Sequence, residues 1–207
     1  MKKLISKIEI LQKMDIGVLI NRRIREFKKL GKQPSQEIFK ELCFCLLTAN
    51  FNAERAIEIQ KKIGEGFLSL PEKRLAATLR ALGYRYPNAR AKYIAEARRY
   101  KDSIRDYVGR KEEQSRRDWL VKNIKGLGYK EGSHFLRNIG HQNLAIIDFH
   151  IIDLLERHGL IARPKTLTKA KYLKIEEVLR EISRKSNLTL AELDLYLWYI
   201  ETGKVLK

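Results

Sequence analysis

Helix stop and start signals recur at short intervals along this chain, and no stretch alternates apolar and polar residues for more than a few positions. Together these two features restrict it to packed helices. A helix over 16–30 follows Asp15 and ends at Gly31, and the next follows Pro34 and Ser35 and runs to about Ala49. Asn52 caps a helix that stops at Gly64, Pro71 suits the first turn of one ending at Gly83, and Tyr86-Pro87-Asn88 opens a long helix that reaches the region of Gly109. A helix from Gln114 to Asn123 leads into a glycine turn, and a second leaves it and ends at Gly140. Asp148 caps the following helix, which Gly159 closes. Thr168 to about Lys185 is another, and Thr189 with Glu192 three residues later forms a capping box that starts the last. The fold class is therefore all-α, with about ten helices. No Pro/Gly/Ser-rich linker marks a boundary, so two domains must pack closely. The expected division is 1–34 with 145–207 as a helical domain built from both chain ends, and 35–144 as a central helical-barrel domain.

The net charge is +18, from 43 Lys plus Arg against 25 Asp plus Glu. Surface ion-pair networks need balanced signs, and this surplus is not balanced. A polyanion relieves the self-repulsion, which makes nucleic acid the leading partner. The longest apolar runs, such as Leu144 to Phe149, fall far short of the ~20 residues of a membrane span. The basic start, "MKKLISKIEILQK", lacks the apolar core and small-residue cleavage site of a signal peptide. A cytoplasmic protein is expected. Cys43 and Cys45, two apart on a helix, face different ways and supply neither a disulfide framework nor the four thiolates of an iron-sulfur cluster. His134, His141, His150 and His158 show no metal-ligand spacing, so packing or surface roles are expected for them and no metal or cofactor.

The segment "IKGLGYKEGSHF", residues 124–135, interrupts the helical pattern. Glycines reach positive φ without a Cβ clash and let a phosphate approach the backbone N–H groups. The second helix then turns its N-terminus, with unpaired donors and about half a positive charge, toward the same anion. Residues 114–140 therefore read as a helix-hairpin-helix packed through Ile124 and Leu127, with Gly126, Leu127 and Gly128 on the DNA backbone. Lys130 falls in the first turn of the second helix, where the dipole disfavours a cation. On position alone it is an ordinary phosphate-binding lysine. As a nucleophile it would need an uncharged amine, hence a partly enclosed cleft with neighbouring cations. Asp148, eighteen residues on in "AIIDFHII", is either a helix cap or a carboxylate at the mouth of that cleft, and the roles are compatible.

"GLGYK" followed by the aspartate of "IIDFHI" resembles the signature of helix-hairpin-helix base-excision DNA glycosylases. Over nearly its whole length, the chain is similar to the archaeal type of 8-oxoguanine DNA glycosylase/AP lyase. The narrower likeness rests on "GYKEGSHFLRN", the absence of cluster cysteines, and an end at Lys207 soon after the last helix. The resemblance implies two helical domains with duplex DNA containing oxidised guanine across the cleft between them, and a monomer. Lys130 would attack C1′, expel the base and form a Schiff base, after which β-elimination cuts the strand, with Asp148 as the assisting carboxylate. The Lys207 carboxylate would read the N7–H of the lesion, where ordinary guanine has an acceptor.

Asn50 in "LLTAN" matches a position that fills the gap left by a flipped nucleotide, with a plain helix end as the competing reading. Arg85, Tyr86 and Asn88 match a segment that probes the opposite strand, and for Tyr86 packing competes evenly. Trp119 and Trp198 read as core. Phe149 stands where many relatives are expected to carry Arg, which touches a backbone contact and not the chemistry. Gly132 is unusual inside a helix, where it costs up to ~1 kcal/mol relative to Ala. Two other readings keep the same residues: a glycosylase/lyase for oxidised pyrimidines, and a non-enzymatic helix-hairpin-helix DNA-binding module.

Overall fold

A computed structural model of the chain describes residues 1–109 and 112–207. Among the described residues there are α-helices and one 3-10 turn, and no strand. In chain order the helices are α1 Lys2–Gln12, α2 Asp15–Leu30, α3 Ser35–Thr48, α4 Ala53–Ile63, α5 Gly66–Ser69, α6 Glu72–Ala81 and α7 Pro87–Ala97. After the 3-10 turn Arg98–Tyr100 come α8 Ile104–Gly109, α9 Glu113–Asn123, α10 Tyr129–Asn138, α11 Phe149–Arg157, α12 Lys169–Lys185 and α13 Leu190–Thr202.

Local chemistry explains most of these boundaries. Asn52 Oδ1 accepts from the Arg55 N–H at 3.0 Å, Thr168 Oγ1 from Lys171 at 3.4 Å, and Thr189 and Glu192 bond each other's backbone N–H groups reciprocally. The long helix expected from Tyr86 to the Gly109 region is instead broken into α7, the 3-10 turn and α8. No Pro or Gly marks the break. It is held by tertiary contacts: Arg98 Nε donates to the Phe67 carbonyl at 2.8 Å, and Tyr100 packs edge-on against both Tyr107 and Trp119.

The buried apolar side chains form two clusters. One, the central core, runs from Ile38 to Leu144. The other joins Leu4 to Phe27 with Ala145 to Leu197, and is called here the terminal core. Helix α10 lies between them: Phe135, Leu136 and Ile139 point into the central core, while Tyr129 packs on the terminal one. Gly132 has a reason in this packing. A Cβ there would lie 3.4 Å from Arg117 Cγ, so the glycine lets α9 and α10 approach closely.

Leu144 to Ile147 are all buried, yet they are not helical. Buried backbone donors need partners, and side chains of α12 provide them. The Ala145 N–H donates to Glu176 Oε2 at 2.9 Å, and the Ile147 N–H to the Tyr172 hydroxyl at 3.2 Å. This extended run delivers Asp148 to the head of α11.

Glu176 also closes the seam between the cores. Arg117 of α9 grips it with two guanidinium nitrogens at 2.6 and 3.0 Å, and both side chains are almost fully buried. Removing one member of a buried pair leaves the other charge uncompensated, which costs about 3–5 kcal/mol. Arg117→Met should therefore destabilise the protein by that amount in urea unfolding. Adding Glu176→Gln, which removes the stranded charge but keeps an acceptor for Ala145, should recover part of the loss. A single-variant cost below about 1 kcal/mol would contradict this role.

Candidate active site

The helix-hairpin-helix is formed by α9, the turn 124–128 and α10, with Ile124 and Leu127 buried beneath the turn. Only one of its glycines requires the left-handed region. Gly126 has φ +87° and a Cβ there would strike the Tyr93 ring at 2.4 Å. Gly128 is extended, φ −96°, a conformation open to any residue. Its N–H is instead capped by Glu131 Oε2 at 3.2 Å. The Leu127 side chain belongs to the central core, so any contact it makes with DNA is through its backbone.

Between the two cores lies a cavity of about 800 Å³. Lys130 and Asp148 both line it, as do Asn50, Arg85, Tyr86 and Lys207. Asn88 does not; its side-chain oxygen accepts from Arg80 at 2.8 Å on an exposed surface. The hairpin residues Gly126, Leu127 and Gly128 also lie outside the cavity lining. Asn50 adopts a positive φ of +57°, rare for a residue with a side chain, which turns the chain at the rim of the cavity. The exposed Arg85 guanidinium lies over the Tyr86 ring, 5.1 Å from its centroid.

Lys130 is partly enclosed, its side chain 26 % exposed. Its ion-pair partner is the Glu131 carboxylate, with Nζ 3.6 Å from Oε1. A lysine nucleophile calls for neighbouring cations, yet the ion-pair partner here is an anion, placed there because the same carboxylate caps the start of α10. Asp148 is the N-cap of α11, Oδ1 accepting from the Ile151 N–H at 3.0 Å. One of its oxygens is thus fixed by the helix it starts.

Several lining residues were not anticipated. Trp198 is not a core residue: it borders the cavity edge-on to His150, ring centroids 5.1 Å apart, and its buried Nε1 has no hydrogen-bond partner among the described residues. His134, on the buried face of α10, touches the Phe44 ring and lines the cavity. Burial first, then the charges of Arg137 and Lys130, hold its ring well below the ordinary histidine range, so it is neutral. Phe149, the unusual residue beside Asp148, is 61 % exposed at the rim and lies against the His150 ring. Asp194 of α13 pairs with Arg137 across the floor of the cavity. Burial pushes the Asp194 carboxyl up to about 6; Arg137 opposes this, and the negative Asp148 adds to it. Helical periodicity places His134 and Asp194 on inward faces, where sequence alone reads only packing.

Two packed helical cores with a helix-hairpin-helix beside the cleft between them make the fold that of helix-hairpin-helix DNA glycosylases. At the level of fold alone the likeness extends to endonuclease III in a non-covalent complex with DNA, TM-score 0.57 and 17 % identity over 89 % of this chain and 84 % of that one. The model of the family described as 8-oxoguanine DNA glycosylase matches residues 20–188, and the chain belongs to that family. It is 52 % identical to the 8-oxoguanine DNA glycosylase/AP lyase of Korarchaeum cryptofilum, over 99 % of this chain and 98 % of the relative. It is 54 % identical to the protein of the same name from Methanocaldococcus jannaschii, over 99 % of each. The crystal structure of the M. jannaschii glycosylase/lyase in complex with a 15mer DNA containing 8-oxoguanine superposes with a TM-score of 0.96, at 51 % identity, over 99 % of this chain and 100 % of that one.

The sign of the Asp194 contribution follows from its raised value. It stabilises the fold fully below the unfolded-state value of 3.8 and the contribution is lost as pH rises through about 6. Asn at this position cannot titrate. Between pH 4 and pH 7 the stability of wild type relative to Asp194→Asn should therefore fall, by at most roughly 3 kcal/mol at 1.36 kcal/mol per decade. Urea unfolding of both proteins across that range measures it, and a constant difference would show that Asp194 is not perturbed.

Proposed function

We propose that this chain is a bifunctional DNA N-glycosylase and AP lyase that removes 8-oxoguanine from duplex DNA. The observation that carries the reading is that Lys130 and Asp148 line one cavity between the two cores, at the foot of a backbone-binding hairpin. The family and the relatives' shared name support the substrate. The surplus of 18 positive charges supports duplex DNA as the partner, and binding as a monomer is part of the proposal.

In this reading Gly126, Leu127 and Gly128 hold a phosphate through their backbone while a nucleotide is flipped into the cavity, at a cost of a few kcal/mol that pocket contacts offset. Asn50 occupies the vacated stack, and Arg85 and Tyr86 probe the opposite strand; Asn88 supports that segment from its place on Arg80. The Lys130 amine attacks C1′ as the glycosidic bond breaks, and the departing base takes the bonding electrons and a proton. The aminal so formed opens the sugar ring: the C1′–O4′ bond breaks, O4′ takes its electrons and a proton as the 4′-hydroxyl, and the nitrogen lone pair completes the iminium at C1′. Loss of a proton from C2′ then expels the 3′ phosphate and cuts the strand. Asp148, with one oxygen fixed by Ile151, presents negative charge to the developing positive charge on the sugar and carries protons. The main-chain oxygen of Lys207 accepts from the lesion N7–H. Every step balances with amine, carboxylate and water, so no cofactor is required. No helix among the described residues is long and apolar enough to cross a membrane, and a cytoplasmic site of action is part of the proposal.

Borohydride should trap a covalent adduct with duplex DNA containing 8-oxoguanine, more than with thymine glycol, and Lys130→Gln should abolish it. Equal trapping on thymine glycol would favour an oxidised-pyrimidine enzyme, and no adduct with either duplex would favour a binding module. Asn is as good a helix cap as Asp. Asp148→Asn should therefore unfold within about 0.5 kcal/mol of wild type while single-turnover excision falls about 10²–10⁴-fold. Loss of stability without loss of rate would reduce Asp148 to a cap.

A further inference from the structure

The last residue of the sequence is held by its side chain. Lys207 Nζ donates to Glu41 Oε2 at 2.8 Å and to Gln60 Oε1, and sits over the Phe44 ring, 4.3 Å from its centroid. Each of these three groups is itself fixed. Glu41, on α3, is 3 % exposed, and its other oxygen accepts from Asn138 at 2.6 Å. The Gln60 amide donates to Glu41 Oε2 and to the Lys40 carbonyl, both at 3.1 Å, which orients its oxygen toward the ammonium. Phe44 is wholly buried. One carboxylate oxygen, one amide oxygen and one aromatic face make a compact cation site, matched to an ammonium rather than to the planar fork of a guanidinium.

Helix α13 stops at Thr202 with Gly203 as its cap, and residues 204–207 have no helical bonds to hold them. A single oxygen can distinguish a donor from an acceptor at N7 only if it is held to within about 0.5 Å. The tail cannot hold itself that closely. Its other contacts are weaker: the Lys204 to Glu54 pair at 2.8 Å is about half exposed on both sides and screened by water, the Lys204 N–H donates to Thr202 Oγ1 at 3.3 Å on the surface, and Val205 packs only partly buried on the terminal core without fixing a direction. The buried contact is the one able to do it, and it leaves the Lys207 main chain against the neutral ring of His134, in the cavity wall.

We infer that Glu41, Gln60 and Phe44 form a receptor for the Lys207 ammonium, and that this receptor sets base selectivity by fixing the Lys207 main chain in the cavity. The inference rests on the reading of the cavity as the pocket for the flipped base. Glu41 and Gln60 do not line the cavity, so they are positioning residues and not catalytic ones. The site also makes lysine necessary at position 207: arginine keeps the charge but displaces the main chain.

The test compares two substrates in the full chain: duplex DNA containing 8-oxoguanine, and the same duplex with a preformed abasic site, which needs Lys130 but no base reading. Glu41→Gln should lower 8-oxoguanine excision about 10- to 100-fold, the scale of a misplacement of about 1 Å, while abasic-site cleavage stays within about twofold of wild type. Lys207→Met and Lys207→Arg should lower excision to a similar degree. The double variant Glu41→Gln with Lys207→Met should be no worse than Lys207→Met alone, because both remove one contact. Wild-type excision by Glu41→Gln or by Lys207→Arg would overturn the inference. So would equal losses on both substrates in Glu41→Gln, which would make Glu41 merely structural; Lys207→Met, at the chain end, still reads the contact if Glu41→Gln fails to fold. A wild-type protein that cleaves abasic DNA and ignores 8-oxoguanine would instead overturn the proposed substrate, and the receptor's role with it.

Discussion

Two buried guanidinium-carboxylate pairs close the seam between the central and terminal cores, and the geometry of the cavity depends on them. Arg117 with Glu176 joins α9 to α12, and Arg137 with Asp194 joins α10 to α13. Such pairs add little net stability, because desolvation offsets their attraction, yet breaking one is costly. Their effect is on register. Lys130, His134, Arg137 and Asn138 share α10, so a slip of that helix against α13 would move the proposed nucleophile, the neutral ring and the seam contacts together. The buried run from Leu144 to Ile147, bonded to Glu176 and Tyr172, sets the position of Asp148 from the other side.

The cavity that results mixes charges which a stability argument would separate. A lysine sits in the first turn of a helix, beside the carboxylate that caps it. A second carboxyl, Asp194, is held up to about 6 by burial. His134 is kept neutral by burial and by the cations around it. Perturbed groups gathered in one cleft are characteristic of sites that do chemistry, though ion-pair networks produce them too. Here the network borders the proposed site: Lys207, Glu41, Asn138, Arg137 and Asp194 form one connected chain of hydrogen bonds from the Lys207 end of the cavity to its floor.

What was legible in the sequence was what local chemistry writes there. The caps at Asn52, Asp148, Thr168 and Thr189 are each a side chain bonding a backbone N–H three residues on, and each can be read from a short window. The hairpin and the spacing from Lys130 to Asp148 could be read for the same reason. The break after Ala97 could not, because it depends on Arg98 reaching the carbonyls of Phe67 and Gly66 in α5, 31 and 32 residues earlier. Nor could Trp198 and Asp194: α13 is apolar enough to read as core on every face, and only the path of the tail shows which face borders the cavity. The neighbourhood of Lys130 differed in kind, since the capping carboxylate of Glu131 occupies the place expected for a cation.

The reading stands or falls on which amine reacts. Protein trapped on 8-oxoguanine DNA with borohydride can be digested, and the peptide carrying the sugar remnant sequenced by mass spectrometry. The remnant should lie on Lys130 Nζ in essentially all of the adduct. Its appearance on another lysine or on the Met1 amine would contradict the assignment, and would leave the cavity between the cores without its nucleophile.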